Sequence, residues 1–145
     1  MIDISTKEVT VRTAKAEGVI TLGDKCFDII KKGTCVKGDV LTTARIAAIG
    51  AVKSTPSLIP MCHPILIEAI EVAFELNESE KSVSVTVSVK STGKTGVEME
   101  AMCGAAAGCL TIYDMLKYAD RAMVISNVHL IEKTGGKSGD YKRQG

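Results

Sequence analysis

At 145 residues, with 18 basic and 17 acidic side chains and a net charge of +1, the chain fits one domain, 1–145, and carries no electrostatic footprint for nucleic acid. Without tryptophan, and with three tyrosines and two phenylalanines, it has little surface on which bases could stack. No apolar run approaches the roughly 20 residues of a membrane span, and Met1-Ile2-Asp3-Ile4-Ser5 lacks the basic and apolar regions of a signal peptide. The five cysteines, at 26, 35, 62, 103 and 109, are odd in number and show no CxxC spacing. They read as small buried side chains in a reducing cytoplasm, not as a disulfide framework or zinc knuckle.

The stretch from Val9 to Leu22 is rich in Val, Thr and Ile and predicts a strand, with Gly18 as a bulge. Asp24 is the expected cap of a short helix, Lys25 to Lys32, closed by Gly33. Gly38-Asp39 opens a second helix to about Lys53, where Ser54-Thr55-Pro56 ends it. Leu41, Ala44, Ala48 and Val52 make its apolar stripe. Ile70, Val72, Phe74 and Leu76 alternate with Glu71, Ala73 and Glu75. Past the polar turn Asn77 to Glu80, Val83, Val85, Val87 and Val89 alternate with Ser and Thr, as in an antiparallel hairpin with one buried face. A long helix is expected from Val97 to Ala119, with Gly104 to Gly108 free of bulk and open to another helix or a subunit. A last strand runs from Met123 to Glu132, before a polar tail. The order β-α-α-β-β-α-β predicts a ferredoxin-like α+β fold: a four-stranded antiparallel sheet with helices packed on one face.

Two fragments imitate a phosphate-binding loop. Gly93-Lys94-Thr95 and Gly136-Lys137-Ser138 lack the first glycine of GxxxxGK[ST], where Ser88 and Ile131 stand. Gly93 and Gly96 still leave backbone N–H groups accessible beside a helix start, a place that suits an anion. Glu98 and Glu100 fit either complementation of the helix dipole or a shared site in the first turn. Asp114 and Lys117, three apart on a helix, fit either a surface ion pair or a proton acceptor beside a cation. His63, between Cys62 and Pro64 on a stiffened loop, suits a hydrogen bond to a ligand, whereas His129 on the last strand reads as structural.

Long blocks of the chain are similar to a known family. They are Met1-Ile2-Asp3-Ile4-Ser5 with Lys7, Gly38 to Ala47, Leu58 to Pro64, Thr92 to Ala101, Leu110 to Met115 and Glu132 to Gly139. Over these the sequence resembles the cyclic pyranopterin monophosphate synthases, the MoaC family of molybdenum cofactor biosynthesis. Departures are small: Met61 stands where leucine is common, and Asp140 to Gly145 has no recognised counterpart.

The resemblance implies a cytoplasmic lyase that converts 3′,8-cyclo-7,8-dihydroguanosine 5′-triphosphate, made by a radical SAM enzyme, to cyclic pyranopterin monophosphate and pyrophosphate. It implies Asp114, Lys117 and Lys37 as catalytic residues. Met61, Cys62, His63, Met99, Glu100, Glu98, Lys53, Arg12 and Lys133 would bind substrate. A homo-hexamer built as a trimer of dimers is implied, with sites at the dimer interface. No cofactor is implied beyond Mg²⁺ on the triphosphate, and no protein metal site, nucleic acid or membrane partner. The competing expectation is a non-catalytic ferredoxin-like module that binds a nucleotide.

Overall fold

The computed structural model describes residues 1–145. A sheet of five strands runs in the order β2-β3-β1-β4-β5, every neighbouring pair antiparallel. Its strands are β1 (Thr10–Thr21), β2 (Ile67–Asn77), β3 (Ser82–Gly93), β4 (Val124–Thr134) and β5 (Tyr141–Lys142). The helices are α1 (Asp24–Lys32), α2 (Val40–Lys53), the single turn α3 (Thr55–Leu58) and α4 (Glu98–Leu116). The first four strands have the expected ferredoxin-like order. The fifth, in the tail, is a two-residue addition at the edge, pairing with Glu132 and Lys133.

Period two builds the central strands. Val83, Val85, Val87 and Val89 are no more than 2% exposed, each worth about 1.5–3 kcal/mol of burial. The hairpin turn is tied by Asn77, whose Oδ1 accepts from the Glu80 N–H at 3.1 Å. Gly18 marks the irregularity expected of it: the β1–β4 register shifts between Glu17 and Val19. A methyl there would come 3.0 Å from Cys109 Sγ, so α4 crosses β1 closely. In α2 the buried stripe is Val40, Ala44, Ala48 and Val52, with Leu41 only half-buried.

Three boundaries differ from expectation. Asp24 lies inside the first turn of α1 and the cap position belongs to Gly23, at φ +78, a left-handed value glycine tolerates. Ser54-Thr55-Pro56 ends α2 and at once starts α3, because proline is acceptable in a first helical turn. Helix α4 stops at Leu116, and residues 117–119 form a turn.

Helix α4 packs across β1, β3 and β4, and α2 lies beside it over β2. Gly104 and Gly108 make that possible. A methyl on Gly104 would stand 2.8 Å from Val52 Cγ2 and 3.1 Å from Val87 Cγ1, and one on Gly108 would stand 2.7 Å from Val85 Cγ1. The two glycines are therefore used within the chain, against α2 and the sheet.

Candidate active site

The start of α4 lies beside a cavity of about 570 Å³, within the usual range for a small-molecule site. Met61, Cys62, His63, Glu98, Met99 and Glu100 all line it, joined by Lys7 and the N-terminal residues Met1, Ile2 and Ile4. Lys94 holds the N-terminal segment here, donating to the Ser5 carbonyl at 2.7 Å. The anion place expected at Gly93 and Gly96 is occupied otherwise. A methyl on Gly96 would overlap the Glu98 carboxylate, which folds back over that backbone. The protein's own acid lies there, so an incoming anion would meet like charge.

Glu100 is 2% exposed. Burial, and then Glu98, push its carboxyl above its ordinary value, while its own backbone N–H works the other way. Burial likewise raises the Cys62 thiol, with Glu100 and Cys103 adding to it, which works against a reactive thiolate at this position. All five cysteines are free thiols. Burial pushes Cys109 up to about 12, fitting a core side chain.

An adjoining cavity of about 820 Å³, sharing Lys7, is lined by Asp3, Thr10, Arg12, Lys137 and Ser138 among others. Arg12 is 9% exposed. Its Nε and the Thr10 hydroxyl are buried without a hydrogen-bond partner, and no carboxylate reaches Arg12 closely enough for an ion pair. A cation removed from water and left unpaired is costly unless a ligand completes it. Lys133 does not line the cavity itself but donates at 2.7 Å to the Oγ of Ser138, which does.

The third group sits at the other end of α4. Lys117 Nζ is 2.6 Å from Asp114 Oδ1, Lys37 Nζ is 3.4 Å from Oδ2, and Lys37 also donates to the Asp114 carbonyl at 2.8 Å. Lys117 first, then Lys37, hold the Asp114 carboxyl below its ordinary value. The i,i+3 ion pair is thus formed, and a lysine from a distant loop joins it. That loop is fixed from both sides: Val36 N–H donates to Tyr118 Oη at 3.2 Å, and Cys35 Sγ approaches the Met115 carbonyl at 3.4 Å. Lys53, the last residue of α2, is exposed and lines none of these cavities. His129 Nδ1 bonds the nearby Asn127 carbonyl at 2.6 Å, a local contact on β4. Nowhere do three or more His, Cys, Asp or Glu side chains gather as metal ligands.

A family model described as the MoaC family matches residues 1–136. A cyclic pyranopterin monophosphate synthase of Bacillus thuringiensis subsp. konkukian (strain 97-27) is 48% identical over 146 residues, 99% of this chain and 91% of that protein. The chain belongs to the MoaC family. Synthases of the same name from Bacillus mycoides (strain KBAB4) and Methylobacterium sp. (strain 4-46) are 49% and 47% identical. The alignments cover 99% and 97% of this chain, and 90% and 88% of those proteins.

Within the MoaC chain, the residues implied by the resemblance fall mainly into two places: the paired cavities at the start of α4, and the Asp114 cluster at its end. Lys7, Thr10, Lys137 and Ser138 line the cavities and were not among the expected site residues. One signal for this wall was in β1, where Arg12 falls on the same alternation as Ala14, Ala16 and Ile20 and so had to point inward.

Proposed function

We propose that this MoaC-family chain is a cyclic pyranopterin monophosphate synthase, a lyase of molybdenum cofactor biosynthesis. Its substrate is 3′,8-cyclo-7,8-dihydroguanosine 5′-triphosphate, and its products are cyclic pyranopterin monophosphate and pyrophosphate. The observation that carries this reading is 48% identity to a protein of that name over 99% of the chain. Opening the five-membered purine ring and closing the pterin ring are hydrolysis and condensation steps, served by proton transfer. Asp114, an ionised carboxylate in contact with two lysines, is placed to exchange protons with them and with the substrate. Lys37 and Lys117 serve as cationic donors beside it.

Arg12, with Lys133 and the newly found Lys7 and Lys137, would neutralise the triphosphate and stabilise departing pyrophosphate. Lys53 would contribute only from a neighbouring chain or at longer range. Met61, Cys62, His63, Met99, Glu98 and Glu100 would enclose the purine, with the glutamates against its polar edge. Mg²⁺, where it takes part, would arrive on the triphosphate. The reaction is assigned to the cytoplasm, and no helix is long and apolar enough to cross a membrane.

Glu100 and Asp114 lie on one helix, about four turns or roughly 20 Å apart. If both ends serve one small substrate, a second copy of the chain would complete the site. The outward stripe of α4 supports this: Cys103, Ala106 and Ala107 are half-buried and Leu110 is 60% exposed. Antiparallel packing of two such helices about a two-fold axis near Ala107 would bring the partner's Asp114 to Glu100. The dimer is proposed on that basis, and its assembly into a hexamer, a trimer of dimers, on the family resemblance alone. Incubation with the cyclised GTP substrate tests the function. Release of pyrophosphate is expected, whereas tight binding without turnover would favour the non-catalytic nucleotide module.

A further inference from the structure

Residues 1–8 form a wall between the two cavities at the start of α4. Ile2 and Ile4 line the smaller cavity, Asp3 and Thr6 line the larger, and Lys7 alone lines both. The wall belongs to no helix or strand, since β1 begins at Thr10. Two internal bonds shape it: the Ser5 N–H donates to Asp3 Oδ1 at 2.8 Å, and the Lys7 N–H donates to the Ile4 carbonyl at 3.1 Å. Within the chain one hydrogen bond ties it to the rest, from Lys94 Nζ to the Ser5 carbonyl at 2.7 Å. The sheet brings that lysine into reach. Gly93 closes β3 opposite Thr10, so Lys94 leaves the sheet where β1 enters it. Lys94 is half-buried, forms no ion pair and lines neither cavity. A second copy on the outward stripe of α4 would add contacts to the wall without removing this bond, which is internal to the chain.

We propose that Lys94 is a positioning residue for the reaction: through the Ser5 carbonyl it fixes the turn that carries Lys7. With the purine in the smaller cavity and the triphosphate in the larger, Lys7 stands at the junction, beside the ribose and the α-phosphate. There a hydroxyl oxygen of the substrate bonds to the α-phosphorus and gives up its proton to a base. The bond from that phosphorus to the bridging oxygen breaks, and pyrophosphate leaves. A cation at this point stabilises the developing charge best when its place is set beforehand, whereas a lysine on an untethered segment must be ordered at each turnover. The inference rests on the substrate proposed above and gives Lys94, the lysine of the loop that imitates a phosphate-binding motif, a part in its conversion.

The test has two arms, both on the intact protein. The first is amide hydrogen exchange without ligand, on the parent, Lys94→Met and Lys94→Arg. The Ser5 and Lys7 N–H groups should exchange about fivefold faster in Lys94→Met, the value of one hydrogen bond, with core amides unchanged. Lys94→Arg, which can still donate to a carbonyl, should stay within about twofold of the parent. Equal exchange at Ser5 and Lys7 in the parent and Lys94→Met would show that other contacts hold the wall, the second copy's included, and overturns the proposal. A rise across the core amides would make Lys94 a residue of the fold and overturns it too.

The second arm measures pyrophosphate release from the cyclised substrate. Lys94→Met should lose about tenfold in kcat at a nearly unchanged thermal midpoint, as expected for a misplaced charge, and Lys94→Arg should recover most of that loss. The double variant Lys94→Met with Lys7→Met should be no slower than Lys7→Met alone, because Lys94 acts only through Lys7. Losses that multiply in the double variant would show another route and overturn the proposal. Failure of the parent protein to release pyrophosphate would remove the proposed function instead, and the exchange arm would still decide whether Lys94 sets the wall.

Discussion

Arg12 shows how one side chain can be arranged for a ligand at the expense of the fold. Its Nε is buried without a partner, and a methyl on Gly136 would overlap its guanidinium, so the Gly135-Gly136 turn lies directly against it. Both glycines have positive φ, at +88 and +85, so their conformation and their closeness to β1 each exclude a side chain. Arg12→Met keeps the length of the side chain and removes the unpaired charge. Its thermal midpoint should stay level or rise, while pyrophosphate release falls on the order of 10²-fold, as expected for loss of one charge-stabilising group. A melt beside a turnover assay checks both, and a large drop in the midpoint with unchanged turnover would make Arg12 structural.

Glu100 allows a parallel test of stability against pH. Its folded-state pKa is raised, so the native state holds a proton that the unfolded chain releases earlier. Stability from that proton is full below the unfolded value and is lost as pH rises through the folded one. Glu100→Gln should therefore lose less stability than the parent between mildly acidic and neutral pH, measured as thermal midpoints. Asp114 has the opposite sign: its pKa is depressed, so its favourable pairing is present above the unfolded value and fades only in acid. At this scale the sequence named the loop and helix residues of the first cavity, since blocks such as Met61 to His63 and Glu98 to Glu100 are contiguous, but only Arg12 of the second. It could not show that Lys94 is spent on the Ser5 carbonyl, because that contact spans 89 positions. Nor could it show that Glu98 fills the place an anion would take.

Among the elements, α4 carries the most constraint, and its glycines separate two effects that sequence alone confuses. Glycine inside a helix is unfavourable by roughly 0.5–1 kcal/mol relative to alanine. At Gly50 in α2 an added methyl meets nothing within 4 Å. Gly50→Ala should thus stabilise the chain by about 0.5–1 kcal/mol. At Gly104 the methyl would press on Val52 and Val87, and overpacking of this kind typically costs about 1–3 kcal/mol. Gly104→Ala should be a net loss despite better helix propensity, and denaturant midpoints of the two variants would decide it. The strands were legible because period two with valine leaves little ambiguity over β2 and β3. The run from Gly104 to Gly108 was legible only as a close contact, and tertiary packing chose α2 and the sheet as the neighbours of its two glycines. The short strand β5 has no alternation to read, since two residues cannot show a period.

For the whole molecule the decisive quantity is the length of α4. In the proposed function its two ends carry different halves of the chemistry, so the proposed dimer makes a prediction that a self-sufficient monomer does not. Asp114→Asn should lose roughly 10²- to 10⁴-fold in turnover as a proton-transfer residue, with little change in its melt because the carboxylate is exposed. His63→Ala would damage the opposite half-site, on a half-buried loop. Unfolded and refolded together, the two variants form hybrids in which one site carries both substitutions and the other carries neither. Random pairing makes about half of the dimers hybrid with half of their sites intact, so recovery of roughly a quarter of parental activity is expected. Leu110→Glu, placing charge on the outward stripe of α4, should abolish that recovery by separating the chains. Light scattering on the Leu110→Glu variant would show the smaller species directly. A mixture no more active than the average of the two variants, from a protein that is still dimeric, would place Asp114 and His63 in the same chain's site and remove the two-fold packing of α4.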